Sequence, residues 1–143
     1  MTHPLAADLL RAYQETEYRV GAAAPGGAFV LRIGAASDAL RALHQHFGVA
    51  CSAFLTAANP HSRMTDDATN AERLRHLHAH LEALGLSCID GVGQHPGNGW
   101  PGEASLLVPG LDLATARRLG ERWAQNAIVW SGADAVPQLI LLR

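Results

Sequence analysis

The chain contains no lysine; all eleven of its basic residues are arginine. That absence excludes chemistries that need a primary amine on the protein, among them a Walker-type phosphate loop, a lysine Schiff base and a pyridoxal site. Charge of either sign is scarce. Only 17% of residues are charged, against about 25% in an average soluble domain. The formal net charge is -2 and the isoelectric point about 6.4. No run of basic residues occurs, so no nucleic-acid footprint is visible. No stretch approaches the roughly 20 apolar residues of a membrane helix. Residues 1–10 include Asp8 and no long apolar run, unlike a signal peptide. Only two cysteines are present, Cys51 and Cys88. Each lies in an apolar, strand-like run, which reads as a buried thiol in a reducing compartment. These absences point to a soluble cytoplasmic protein that binds neither nucleic acid nor membrane.

What is abundant is apolar surface. Hydrophobic residues make up 48% of 143, and a chain of this length buries about 68–70% of its unfolded surface without a disulfide or metal staple. The length fits one domain, residues 1–143. Leu5, Leu9, Leu10 and Tyr13 fit a first helix. Residues 16–20 and 28–34 read as two hairpin strands. Ser37 caps a helix that Gly48 stops, and "ACSAFLTA" (50–57) is apolar on both faces, as a covered interior strand would be. Thr65, Asp66 and Asp67 open a helix that ends at Gly85. Strands follow at 86–90 and 104–108 around a glycine-rich loop, 91–102. Asp112 caps a last helix, and strands at 127–130 and 138–142 finish the chain. The order predicts an α/β domain of α+β character: a single central mixed sheet of about six to seven strands with helices packed on its faces.

The 65–84 helix raises the sharpest question. Leu74, Leu77, Leu81 and Leu84 define its buried stripe, yet at 3.6 residues per turn Asn70 falls near the middle of that stripe and Arg73 on its edge. Both lie beside Thr56 and Asn59, where the chain leaves the 50–57 strand. A polar cluster at the carboxyl end of a strand is where α/β sheets usually hold ligands. The same amides would also serve simply to tie loop to helix.

"LRIG", "AFLTAANPHS" followed by an Asn-containing helix, "GNGWPGEASLLV" and "AQNAIVW" occur in this order. In these segments, from about Leu9 to Trp130, the chain resembles the bacterial family called domain of unknown function 3293. Arg32, Thr56, Asn59, Ser62, Asn70, Trp100, Glu103, Ser105, Gln125 and Asn126 match the polar pattern of that family. Ala58 stands where a larger residue is usual, and Trp123-Ala124 where Phe-Gly is common; both would reshape a pocket without removing its polar groups. The resemblance implies a bacterial protein and a location for a site, and no reaction.

Further candidates surround this cluster. Glu103 and Ser105 share one strand face, either as a carboxylate–hydroxyl pair fit for general-base work or as an outward polar face. Gln125 and Asn126 offer donor and acceptor together, or shape a turn. Trp100 sits in the glycine loop, where it would cap a ligand or pack on the core rim. His76 and His80 have the i, i+4 spacing of metal ligands, but no third ligand completes a set, so no metal is expected. His61, in the Asn-Pro loop, is the better functional histidine. The G-x-G of the loop opens no helix, so it is not a dinucleotide fingerprint, and no cofactor is expected. Two functions remain. One is a small-molecule-binding or enzymatic domain using Arg32, Thr56, Asn59, Asn70, Arg73, Trp100, Glu103, Ser105, Gln125 and Asn126. The other is a protein-interaction or self-assembly module without catalytic activity, pairing its "PQLILL" edge with a partner or a second copy.

Overall fold

The structure is a computed structural model that describes residues 6–142. The described residues form α1 (Ala7–Glu15), β1 (Glu17–Val20), β2 (Phe29–Leu31), α2 (Asp38–Phe47), β3 (Ser52–Leu55), α3 (Asp67–Ala83), β4 (Ile89–Gln94), β5 (Glu103–Pro109), α4 (Leu113–Arg122), β6 (Ala127–Ser131) and β7 (Pro137–Leu141). Leu5, assigned from the sequence to the first helix, lies outside the described residues. Local chemistry sets most boundaries. The Ser37 hydroxyl accepts from the Leu40 N–H, and Gly48 closes α2 in the left-handed region at φ 66°. Asp112 caps α4 by accepting from the Thr115 N–H. In α3 the cap is Asp66 rather than Thr65.

The seven strands form one sheet in the order β2-β1-β4-β5-β3-β6-β7. Every pairing is antiparallel, which overturns the expected mixed sheet: the fold is α+β. The reason lies in what separates the strands joined by α3 and α4. β3 and β4 run parallel to each other, but β5 pairs between them; β5 and β6 run parallel, but β3 pairs between them. Residues 52–131 thus make a β-α-β-β-α-β unit of split β-α-β, or ferredoxin-like, type. Beyond it, β1 and β2 extend one side and β7 the other. The sheet curls, and the chain leaving edge strand β2 reaches the opposite edge, where the Gly34 N–H donates to the Pro137 carbonyl at 2.8 Å.

Strand alternation divides the core in two. Phe54, Leu107 and Val129 point to one face and cluster with Leu40 and Leu43 of α2. Ala53, Leu55, Leu106, Val108 and Ile128 point to the other and cluster with Leu77 and Leu81 of α3 and Ala116 and Leu119 of α4. Leu77 and Leu81 are buried as the helix phase requires, whereas Leu84, at the α3 C-cap, is 51% exposed. Cys51 and Cys88 are only half-buried. Burial pushes the Cys88 thiol up to about 11, with Glu82 and Asp90 adding to the shift.

The glycine-rich stretch is shorter as a loop than the sequence suggests, because Gly91–Gln94 belong to β4. A Cβ on Gly91 would lie 2.5 Å from the Arg19 carbonyl oxygen and 2.9 Å from the Phe54 ring. Glycine here permits close strand approach instead of marking a turn.

Candidate functional site

In an antiparallel sheet the end of one strand is the beginning of its neighbours. The carboxyl end of β3 therefore meets the start of β5, which supplies Glu103, and the start of β6, which follows Gln125 and Asn126. This geometry, rather than the parallel-sheet rule, gathers the polar residues.

The loop after β3 is unusual. Asn59, His61 and Ser62 all adopt left-handed backbone conformations, with φ of 46°, 53° and 61°. Asparagine tolerates this region, whereas other residues pay roughly 1–2 kcal/mol there. Neighbouring elements hold the loop in place. The Asn59 N–H donates to Asn70 Oδ1 at 2.9 Å, and Asn70 Nδ2 donates to Asn59 Oδ1 at 3.0 Å and to the Thr65 carbonyl at 3.2 Å. Arg73 donates from Nε to the Ala57 carbonyl and from Nη2 to the Trp123 carbonyl, both at 2.6 Å, and lies over the Trp123 ring. Gln125 Nε2 donates to the Ala58 carbonyl at 3.1 Å. The His61 N–H donates to the Ala124 carbonyl at 2.6 Å.

The clamp presents two polar groups. The first is Glu103: its Oε2 accepts from Asn59 Nδ2 at 2.7 Å and from the Trp100 indole at 3.3 Å. Burial raises its pKa above the ordinary carboxylic value, and the hydrogen bonds from Asn59 and Trp100 oppose that rise. The second is Ser62, whose Oγ lies 2.8 Å from the Tyr13 hydroxyl of α1 and accepts from Asn126 Nδ2 at 2.9 Å. Burial also raises the Tyr13 pKa; the Ser62 hydrogen bond opposes this and the Glu103 charge reinforces it.

Both groups open on a cavity of about 160 Å³ between α1, the sheet face that carries Phe54, and the 95–102 loop. Tyr13, Tyr18, Phe54 and Trp100 form its aromatic walls, and Leu9, Val129 and Leu139 its apolar ones. Tyr18 meets Phe54 edge to face, with ring centroids 5.5 Å apart, and its hydroxyl donates to the Tyr13 carbonyl at 2.6 Å. The loop is internally bonded: His95 Nδ1 accepts from the Gly97 and Asn98 N–H groups, each at 3.0 Å.

Of the residues singled out from the sequence, Thr56, Ser62, Trp100, Glu103, Ser105 and Gln125 line the cavity. Asn59 reaches it through Glu103 and Asn126 through Ser62. Asn70 and Arg73 stand behind the loop and do not line the cavity. Ser105 Oγ donates to the Glu103 carbonyl rather than to its carboxyl group. Arg32 does not join the cluster: its exposed guanidinium donates to Glu17 at 2.8 Å, and Glu17 faces away from Tyr18 on β1. His61 is exposed and lies off the cavity lining. Tyr13, Tyr18 and Phe54 went unrecognised as site residues, because each reads in the sequence as an ordinary core position.

Among the described residues no group of three or more His, Cys, Asp or Glu side chains is placed to hold a metal ion, and no helix is long and apolar enough to cross a membrane. Fold and site together define an α+β domain of split β-α-β type with a mixed polar and aromatic cavity at one end of its curled sheet. The chain belongs to the family described as "Protein of unknown function (DUF3293)", whose model matches residues 55–128. That span runs from the end of β3 to the start of β6 and leaves out "LRIG". No curated protein and no solved structure matches the chain.

Proposed function

We propose that the domain binds a small molecule in the cavity beneath α1. The carrying observation is Glu103. Both donors that reach its carboxyl group, Asn59 and Trp100, engage Oε2; among the described residues none reaches Oε1. An acceptor held in place by two donors beside a cavity, with its second oxygen unengaged by protein, is what a ligand-orienting group requires. The volume fits a compound of one ring, since a cavity of about 150 Å³ accepts benzene. Strain in the 59–62 loop, concentrated at the positions that present Asn59 and Ser62, agrees with a functional site. The raised Glu103 pKa would also suit proton transfer to or from a bound molecule.

A thermal-shift screen of single-ring compounds tests the reading, because a ligand selective for the folded state raises its melting temperature. Ala12, on α1, lines the cavity; Ala12→Phe fills it and should abolish the shifts. No shift from any compound, or shifts that persist in Ala12→Phe, would overturn the reading.

A second reading, strand pairing at the sheet edge, rests on the position of β7 at that edge and on Leu141, 42% exposed. A mass that is monomeric at all concentrations in light scattering would remove self-pairing.

A further inference from the structure

Resting on the small-molecule reading of the cavity, we infer that the ligand is a small organic cation: an aromatic or alicyclic amine whose ammonium group meets Glu103 while its ring fills the aromatic walls. The inference stands on the charge inventory of the site. Among the described residues Glu103 is the one carboxylate on the cavity, and no arginine lines it. The basic side chain that does, His95, has its Nδ1 engaged as an acceptor by two backbone N–H groups, so its ring is held with the proton on Nε2, and that nitrogen faces Glu15 at 3.6 Å. Ionised Glu103 thus has hydrogen-bond donors but, among the described residues, no counter-charge. An unpaired charge removed from water is unfavourable, and a ligand cation would supply the missing partner.

The walls point the same way. Both tyrosines of the chain, one of its three phenylalanines and one of its three tryptophans line this one cavity. Aromatic faces attract a desolvated cation through the ring quadrupole. An anionic ligand would meet the Glu103 carboxylate with no cation among the described lining residues to offset it. A neutral ligand would use the walls but leave the carboxylate unpaired.

The test is calorimetric titration of the full chain at neutral pH with three probes of one shape: benzylamine, benzyl alcohol and benzoate. Benzylamine should bind at least about tenfold tighter than benzyl alcohol, the equivalent of one charge-assisted contact, and benzoate weakest. In Glu103→Gln, whose side-chain carbonyl still accepts from Asn59 and Trp100, the preference for the amine should vanish. Wild-type protein supplies a second readout if that variant fails to fold. Lowering the pH through the Glu103 titration should weaken benzylamine binding and leave benzyl alcohol unchanged. Tyr13 and Tyr18 are shifted upward by burial and stay protonated over that range; repeating the series in His95→Gln removes the imidazole that lines the cavity. Benzyl alcohol or benzoate binding as tightly as the amine overturns the cation inference and leaves cavity binding intact. Binding by none of the three overturns both.

Discussion

Asn59 and Asn70 exchange two hydrogen bonds, backbone N–H to side chain at 2.9 Å in one direction and side chain to side chain at 3.0 Å in the other. The exchange fixes the Asn59 amide so that its own Nδ2 points at Glu103. Asn70 therefore acts on the cavity through Asn59. Replacing Asn70 by Ala takes the acceptor from the Asn59 N–H and leaves Asn59 Oδ1 with the Thr65 N–H alone. The expected loss is about 1–3 kcal/mol of stability, read by urea denaturation, together with weaker ligand binding than the fold loss alone explains. An unchanged denaturation midpoint would show that the clamp carries no weight.

Leu77 is 1% exposed and packs with Ala53, Leu55, Leu106 and Val108 between α3 and the sheet. Leu77→Ala should cost about 2–5 kcal/mol, the range for a buried leucine whose cavity relaxes incompletely. The cavity beneath α1 lies on the opposite sheet face, so ligand binding by the folded fraction should be retained. A cost below that of a surface substitution would contradict the packing.

The two glycines Gly91 and Gly97 should respond in opposite ways to alanine. At Gly91 the new methyl group would meet the Arg19 carbonyl oxygen at 2.5 Å and the Phe54 ring at 2.9 Å, whereas at Gly97 it would meet nothing within 4 Å. Overpacking of the first kind typically costs about 1–3 kcal/mol. Equal melting temperatures for the two variants would rule out the close β1–β4 approach.

Glu103 makes stability depend on pH in a specific sense. Its pKa is raised in the folded state from an ordinary value of 4.5, so the folded protein binds the proton more tightly than the unfolded chain does. Its contribution is fully present below 4.5 and declines as pH rises through the raised folded value. Glu103→Gln removes this dependence. The difference in unfolding free energy between wild type and variant should therefore favour wild type progressively less as pH rises across that window. A difference that grows with pH would mean that the carboxylate is stabilised, not destabilised, in the fold.

Much of the fold is legible because its signals are local. Ser37, Gly48 and Asp112 mark helix ends through contacts within a few residues of themselves, and the two-faced apolar run around Phe54 marks an interior strand. The polarity of the sheet is not legible. Helices joining parallel strands look the same whether those strands are neighbours, as in a parallel sheet, or have β5 or β3 between them, as here. Asn59 and Asn70 stand out because an amide on a leucine stripe needs a partner. Arg32 misleads because the polar pattern of the family marks a residue type and not a direction: on the hairpin it stays exposed beside Glu17, away from the cavity. Tyr13 is hidden for the converse reason: its place in the site depends on α1 crossing the end of a sheet whose strands come from distant parts of the chain.

The helix that roofs the cavity contains no fully buried residue. Leu9, Leu10, Ala12 and Tyr13 are half-buried there, so lifting α1 exposes less apolar area than lifting α3, whose Leu77 and Leu81 are fully buried. The polar ties that hold this roof are the Tyr13 contacts to Ser62 and Tyr18. On the proposed function, a molecule beneath it would be retained by its grip on Glu103 and the rings rather than by the roof alone.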